Sequence, residues 1–263
     1  MLLLIDAGNT RVKWALVSSG ALQQANALGC WSASGSVPRA EVRKLADAWR
    51  NLDIARVVVS NVAGSAMRDE LEQTLLGALG MKPVPLEWFA SVAELGGLQN
   101  RYRNPAQLGC DRFASAIGAH ALFPGEPLIV ATCGTATTVD AVTADGVFLG
   151  GMILPGLGLM AASLAKNTAQ LPQVAESLVV SEPFGDNTDD AIVSGCIAAQ
   201  TGAIERAVTA HTLRQKPAGG MVSCILSGGA ADLIAPHLSV PSKKVDNLVL
   251  IGLQAVATHT LSC

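Results

Sequence analysis

Two stretches of this chain, residues 2–20 and 128–146, match one another without a gap. LLLIDAGNTRVKWALVSSG lies over LIVATCGTATTVDAVTADG. Each opens on an apolar run suited to a buried strand, passes through a small polar turn centred on Gly8 or Gly134, and resumes with strand-like residues. Each then reaches a dipeptide that closes a tight hairpin, Ser19-Gly20 or Asp145-Gly146. A chain that repeats such a unit is constrained to fold as two related halves.

The repetition continues more loosely downstream. RVVVSNVAGSAMRDELEQTLL, from Arg56, reads as a strand, a small-residue turn and a helix in which Met67, Leu71 and Leu75 recur at helical spacing. MVSCILSGGAADLIAPHL, from Met221, reads the same way. A further strand candidate follows each, VPLEWF from Val84 and NLVLIGL from Asn247. The expected halves are residues 1–123 and 124–263. Each is an α/β arrangement of three meandering strands followed by alternating helices and strands, with ligand chemistry at strand ends and in a cleft between the halves. The packing partner of the last helix stays open.

Composition narrows the partners. Among 263 residues, 18 are basic and 21 acidic, giving a formal charge of −3 with no run of like charges. That argues against nucleic acid and against an anionic membrane surface, and points to small molecules. The six cysteines are scattered, without a C-x-x-C pair or a histidine at metal-ligand spacing, so they read as reduced thiols of a cytoplasmic protein. The opening MLLLID lacks the basic region and cleavage site of a signal peptide. Val147–Ala165 is uncharged over a membrane-like length, but Gly150, Gly151, Gly156, Gly158 and Pro155 break it into a strand, a turn and a buried helix.

Four segments carry chemistry. In Asp6-Ala-Gly-Asn-Thr10, followed by Arg11 and Lys13, a carboxylate at the end of a buried strand can hold Mg²⁺ directly or through water, and Gly8 lets backbone N–H groups approach phosphate oxygens. An Asx-type β-turn accounts for the same residues. The second turn, Thr132-Cys-Gly-Thr-Ala-Thr-Thr138, offers hydroxyls and amides at the matching place, with Thr135 and Thr137 as candidate nucleotide contacts against ordinary strand threonines. Ser227-Gly-Gly-Ala-Ala231 would let an adenosine lie against backbone, or would serve close helix packing. In Tyr102-Arg-Asn-Pro-Ala-Gln-Leu-Gly-Cys-Asp-Arg112, Asp111 and Arg112 open the helical stretch FASAIGAHALF. Asp111 there is either a proton acceptor for an attacking hydroxyl or a helix-start acid favoured by the macrodipole.

Taken in order, DAGNTRVK, YxxPxxLGxDR at 102–112, GTATTVD at 134–140, GGMILPG at 150–156 and DNT at 186–188 resemble the signature segments of type III pantothenate kinases. SGGAA and DNLVLIGL extend the likeness close to the C-terminus. The resemblance implies the duplicated ASKHA fold of acetate and sugar kinases, hexokinase, Hsc70 and actin, which is ribonuclease H-like. It also implies ATP as phosphoryl donor, Mg²⁺, and a homodimer. By motif position it assigns ATP binding to Asp6, Ala7, Gly8, Asn9, Thr10, Arg11, Val12, Lys13 and Thr135, with Asp6 as the Mg²⁺ residue through water. Tyr102, Gly109, Cys110, Asp111, Arg112 and Thr188 would bind pantothenate, with Asp111 as catalytic base. Thr188 could equally cap the helix that starts at Asp189. Members commonly carry Asp where this chain has Thr132, and that carboxylate is associated with K⁺ or NH₄⁺; threonine puts the cation dependence in doubt. The rivals are a kinase of the same fold acting on another small hydroxylated substrate, and an ATP-binding regulatory protein.

Overall fold

The structure is a computed structural model of the chain and describes residues 1–24, 27–80, 82–172, 174, 183–215 and 221–259. It divides into two compact units, Met1–Phe123 together with Leu248–Cys263, and Pro124–Asn247. Strand candidate NLVLIGL is therefore a point of correction: Leu248–His259 is a helix and belongs to the first unit. A short apolar run bears no period that separates a buried strand from a helix buried on all sides. Here Leu248, Leu250, Ile251 and Leu253 are all buried.

In the first unit, β1 (Leu2–Ala7), β2 (Arg11–Val17) and β3 (Ala33–Pro38) form an antiparallel meander. After α1 (Leu45–Trp49), β4 (Arg56–Asn61) returns parallel to β1. Helix α2 (Ser65–Leu79) then leads to β5 (Leu86–Trp88), which is parallel to β4. The sheet order is β3-β2-β1-β4-β5. A short hairpin of β6 (Glu94–Leu95) and β7 (Leu98–Asn100) precedes α3 (Cys110–Leu122).

The run LLLI in β1 is apolar throughout because both sheet faces are covered, as parallel pairing requires. Leu3 and Ile5 pack with Trp49 and with Met67, Leu71 and Leu75 of α2. Leu2 and Leu4 pack on the opposite face with Val58, Ala114 of α3, and Leu250 and Leu253 of the C-terminal helix. Helix α3 meets that helix backbone to backbone: a Cβ on Gly252 would collide with the Ala114 carbonyl oxygen, and one on Gly118 would lie 2.6 Å from the Leu248 carbonyl oxygen.

The second unit repeats the layout. Strands β8 (Leu128–Cys133), β9 (Ala136–Val142) and β10 (Val147–Pro155) meander antiparallel. Helices α4 (Leu157–Asn167) and α5 (Thr188–Gln215) follow. Strand β11 (Ser223–Ser227) then pairs parallel with β8, and beyond α6 (Ala231–Ile234) β12 (Ser242–Lys244) pairs parallel with β11. The order β10-β9-β8-β11-β12 reproduces that of the first sheet. The fifth strand is thus the short Ser242–Lys244.

The gapless match of the two hairpins holds for the first strand and slips by one residue in the second. Gly8 N–H bonds the Arg11 carbonyl, whereas Gly134 N–H bonds the Ala136 carbonyl, so the second turn is one residue shorter. Lys13 faces Asp6 across the first ladder, and Thr138 faces Thr132 across the second. A one-residue slip turns every side chain to the other face, and Thr137 accordingly takes the buried place of Val12. Val147–Ala165 is a strand followed by a helix, as expected. That helix buries one face only, through Leu157 and Ala161, and leaves Leu159 and Leu164 exposed. No helix among the described residues is long and apolar enough to cross a membrane.

Candidate active site

Asp6 lies near the end of β1, opposite Lys13 on β2 and beside Ser60 on β4. Burial at that strand end pushes its carboxyl up to about 7; the Lys13 ammonium pulls it down and the charge of Asp111 pushes it up again. The last influence shows that the two carboxylates lie within reach of each other's field. No group of three or more His, Cys, Asp or Glu among the described residues could hold a metal ion. The protein donor set at Asp6 fits a cation that keeps most of its ligands as water and phosphate, which is the habit of Mg²⁺. The rest of the turn divides by exposure. Asn9, Thr10 and Arg11 are exposed, while Ala7 and Val12 are buried and offer backbone only. The Arg11 guanidinium is turned to β3, where it donates to Ser36 Oγ (2.8 Å) and to the Ser36 carbonyl (3.2 Å).

The segment ahead of α3 is organised by Asn100, a residue that sequence reasoning passed over. Its buried side chain accepts from Tyr102 N–H (3.0 Å) and donates to the carbonyls of Val92 and Pro105 (3.2 Å each). Tyr102 is thereby held where its hydroxyl accepts from Arg112 Nη1 at 2.9 Å, with the guanidinium carbon 5.7 Å from the ring centroid. Arg112 is 6% exposed, an unusual place for a guanidinium and one that needs such partners. Asp111 stands in the first turn of α3, where the helix N-terminus favours negative charge. Burial still raises its carboxyl, against the Arg112 N–H (2.8 Å) and guanidinium, which lower it. Gly109 leaves room for this arrangement, because a Cβ there would lie 2.8 Å from Asp111 Oδ1.

The second turn is clamped from both sides. Gly156 N–H bonds the Thr135 carbonyl at 2.9 Å, and a Cβ on Gly156 would strike the Gly134 carbonyl oxygen. On the other side, Ala230 N–H bonds the Cys133 carbonyl at 3.0 Å, and a Cβ on Gly228, at φ +92°, would strike that same oxygen. Thr135 is exposed at the tip of the turn, whereas Thr137 is 2% exposed and points into the core. Thr132 has only hydroxyl-bearing neighbours across its ladders, Thr138 and Ser227, where Asp6 has Lys13 and Ser60. Asn187, and not Thr188, caps α5: its side chain accepts from Asp190 N–H at 3.0 Å. Thr188 instead lines an open, mainly apolar groove of about 620 Å³ between α4 and α5, with Met160, Leu164, Ile192 and Cys196.

The structure thus brings Asp6, Lys13, Tyr102, Cys110, Asp111 and Arg112 together in the first unit, while Thr135 and Thr188 lie in the second. Two solved structures share the fold: one described as a Baf family transcriptional activator from Campylobacter jejuni (TM-score 0.57, 16% identity, 99% of this chain and 100% of that one) and one described as a 2-dehydro-3-deoxygalactonokinase from Sinorhizobium meliloti (TM-score 0.58, 14% identity, 100% of both). At that identity they establish the two-sheet α/β fold and nothing finer. Sequence relatives carry more. Type III pantothenate kinases from Janthinobacterium sp. (strain Marseille) and Herminiimonas arsenicoxydans are 66% and 63% identical, over 100% and 99% of both chains. One from Cupriavidus pinatubonensis is 45% identical over 97% of this chain and 98% of its own. With the family described as type III pantothenate kinase matching residues 2–210, this chain belongs to that family.

Proposed function

We infer that this chain transfers the γ-phosphoryl group of ATP to the primary hydroxyl of pantothenate, giving 4′-phosphopantothenate, the first step towards coenzyme A. The observation that carries this reading is the Asp111–Arg112–Tyr102 constellation beside Asp6. Phosphoryl transfer asks little covalent chemistry of a protein and much positioning. It needs a base within reach of the attacking hydroxyl, and a carboxylate raised by burial is a stronger base than one in water. Asp111 supplies that base. The Arg112 fork recognises the pantothenate carboxylate, Tyr102 covers its aliphatic part, and the Gly109–Cys110 backbone completes the contacts. The turn from Asp6 to Lys13 holds ATP phosphates. In the second unit, Thr135 offers its exposed hydroxyl to a nucleotide. Asp6 would hold Mg²⁺ through water, and the ion would supply neutralisation of the charge that develops on the phosphates.

Threonine at 132 offers a neutral oxygen, so K⁺ or NH₄⁺ is not strictly required. Met152 and Ile153 on β10, and Leu159 and Leu164 on α4, are large exposed apolar side chains of the second unit, of the kind that a homodimer would cover. The enzyme works in the cytoplasm, where its substrates are.

A coupled assay of ADP release with purified protein, MgATP and pantothenate tests the reading, run with K⁺, with NH₄⁺ and with neither. Turnover that depends on pantothenate is expected in all three. None in any would overturn the activity, and turnover confined to the K⁺ and NH₄⁺ arms would overturn the cation proposal alone. Asp111→Asn should lower kcat by at least about a hundredfold with an unchanged melting temperature; a near-normal rate removes Asp111 as the base.

A further inference from the structure

Ser60 is a lone serine in an apolar strand, and no motif drew attention to it. It is wholly buried and is the ladder partner of Asp6 across the parallel β1–β4 pair. Ladder partners project to the same face of a sheet. That face is the one on which Leu2, Leu4 and Val58 meet Ala114 of α3, so Asp6 and Ser60 both point toward the helix that begins with Cys110 and Asp111. The contact is made: Ser60 Oγ lies 3.4 Å from Cys110 Sγ, and the same sulfur reaches the Asn61 carbonyl oxygen at 3.6 Å. The end of β4 therefore holds the first turn of α3 by the residue immediately before Asp111.

We propose that Ser60 is a positioning residue for phosphoryl transfer, seating the first turn of α3 on the end of β4 so that Asp111 keeps its place relative to Asp6. This rests on the reading of Asp111 as the base. The hydroxyl touches no reacting atom; it acts through Cys110 and the helix turn. An alanine at 60 takes the Ser60 hydroxyl away from the Cys110 thiol and opens a small gap under the turn. The turn is then free to shift by a fraction of an ångström, and small misplacements of a catalytic group cost rate far more than they cost stability.

The test is a double-mutant cycle on the full chain, with Ser60→Ala, Asp111→Asn and both together, measured for kcat, for KM of pantothenate and of ATP, and for melting temperature. Ser60→Ala should lower kcat about tenfold while both KM values stay within about threefold. In the Asp111→Asn background the same change should lower kcat by no more than about twofold further, because the group being positioned is already gone. Equal losses in both backgrounds, a loss confined to KM, or a kcat within about twofold of the parent would each overturn the proposal. Asp111→Asn alone reports on the base: if it is slow and Ser60→Ala is additive with it, only the positioning role falls; if it is near normal, both readings fall.

Discussion

Asp6 illustrates at the residue scale how a site differs from a core. Its carboxyl is raised from 3.8 to about 7 chiefly by burial, so between those values the folded, cation-free protein holds a proton that the unfolded chain has lost. The folded state then binds more protons than the unfolded state, and stability falls as pH rises through that window, by at most about 1.4 kcal/mol per pH unit. Asp6→Asn removes the titration. In metal-free protein the variant should therefore melt higher than the parent at pH 8, with the difference shrinking toward pH 4, while losing MgATP-dependent turnover. Differential scanning calorimetry over that range checks it, and a constant difference in melting temperature would show that burial of the charge is not the cause. The carboxylate was legible in the sequence because a charge breaks an apolar strand two residues before a glycine. Ser60 and Asn100 were not, since an uncharged side chain in a strand says nothing of partners that β-pairing and a loop bring to it.

At the scale of elements, the two hairpins show what periodicity conveys and what it omits. Strand order, the meander and the turns at Gly8 and Gly134 could be read from apolar runs and small residues. The one-residue difference between the turns could not, because a gapless alignment favours identity of spacing over identity of facing. The consequence falls on one hydroxyl: of the two candidate nucleotide contacts, Thr135 is exposed at the turn and Thr137 is buried. The shortened turn is held by glycines from outside it. Gly156→Ala should push on the Gly134 carbonyl oxygen and displace the turn. The expected result is a rise of about tenfold in KM for ATP with less change in KM for pantothenate, and a loss of about 1–3 kcal/mol in urea denaturation. Equal effects on both substrates would mean that the turn does not serve the nucleotide.

For the whole molecule, the division of the chain does not follow its order. The sequence suggests a cut after residue 123 and two contiguous halves, but the last helix closes the first unit, and only Pro124–Asn247 is contiguous. An apolar stretch next to a strand-like repeat has the composition of one more strand; its length of 12 residues and its burial on all sides are those of a helix. Leu248, Leu250, Ile251 and Leu253 are each at least nine-tenths buried. Burying four such side chains is worth on the order of 6–12 kcal/mol, as large as the roughly 5–15 kcal/mol that keeps an ordinary domain folded. Truncation before Leu248 should therefore unfold the first unit and leave the full-length activity at zero. A fragment of residues 124–247 should fold with a cooperative melt, because its own core draws on β8, β9, β11, α4 and α5. The fragment 124–263 should be the less soluble of the two, since it carries the apolar helix without the α3 surface that covers it. Circular dichroism and sedimentation of the two fragments decide the matter, and a fragment 124–263 that melts higher and stays monomeric would return the last helix to the second half.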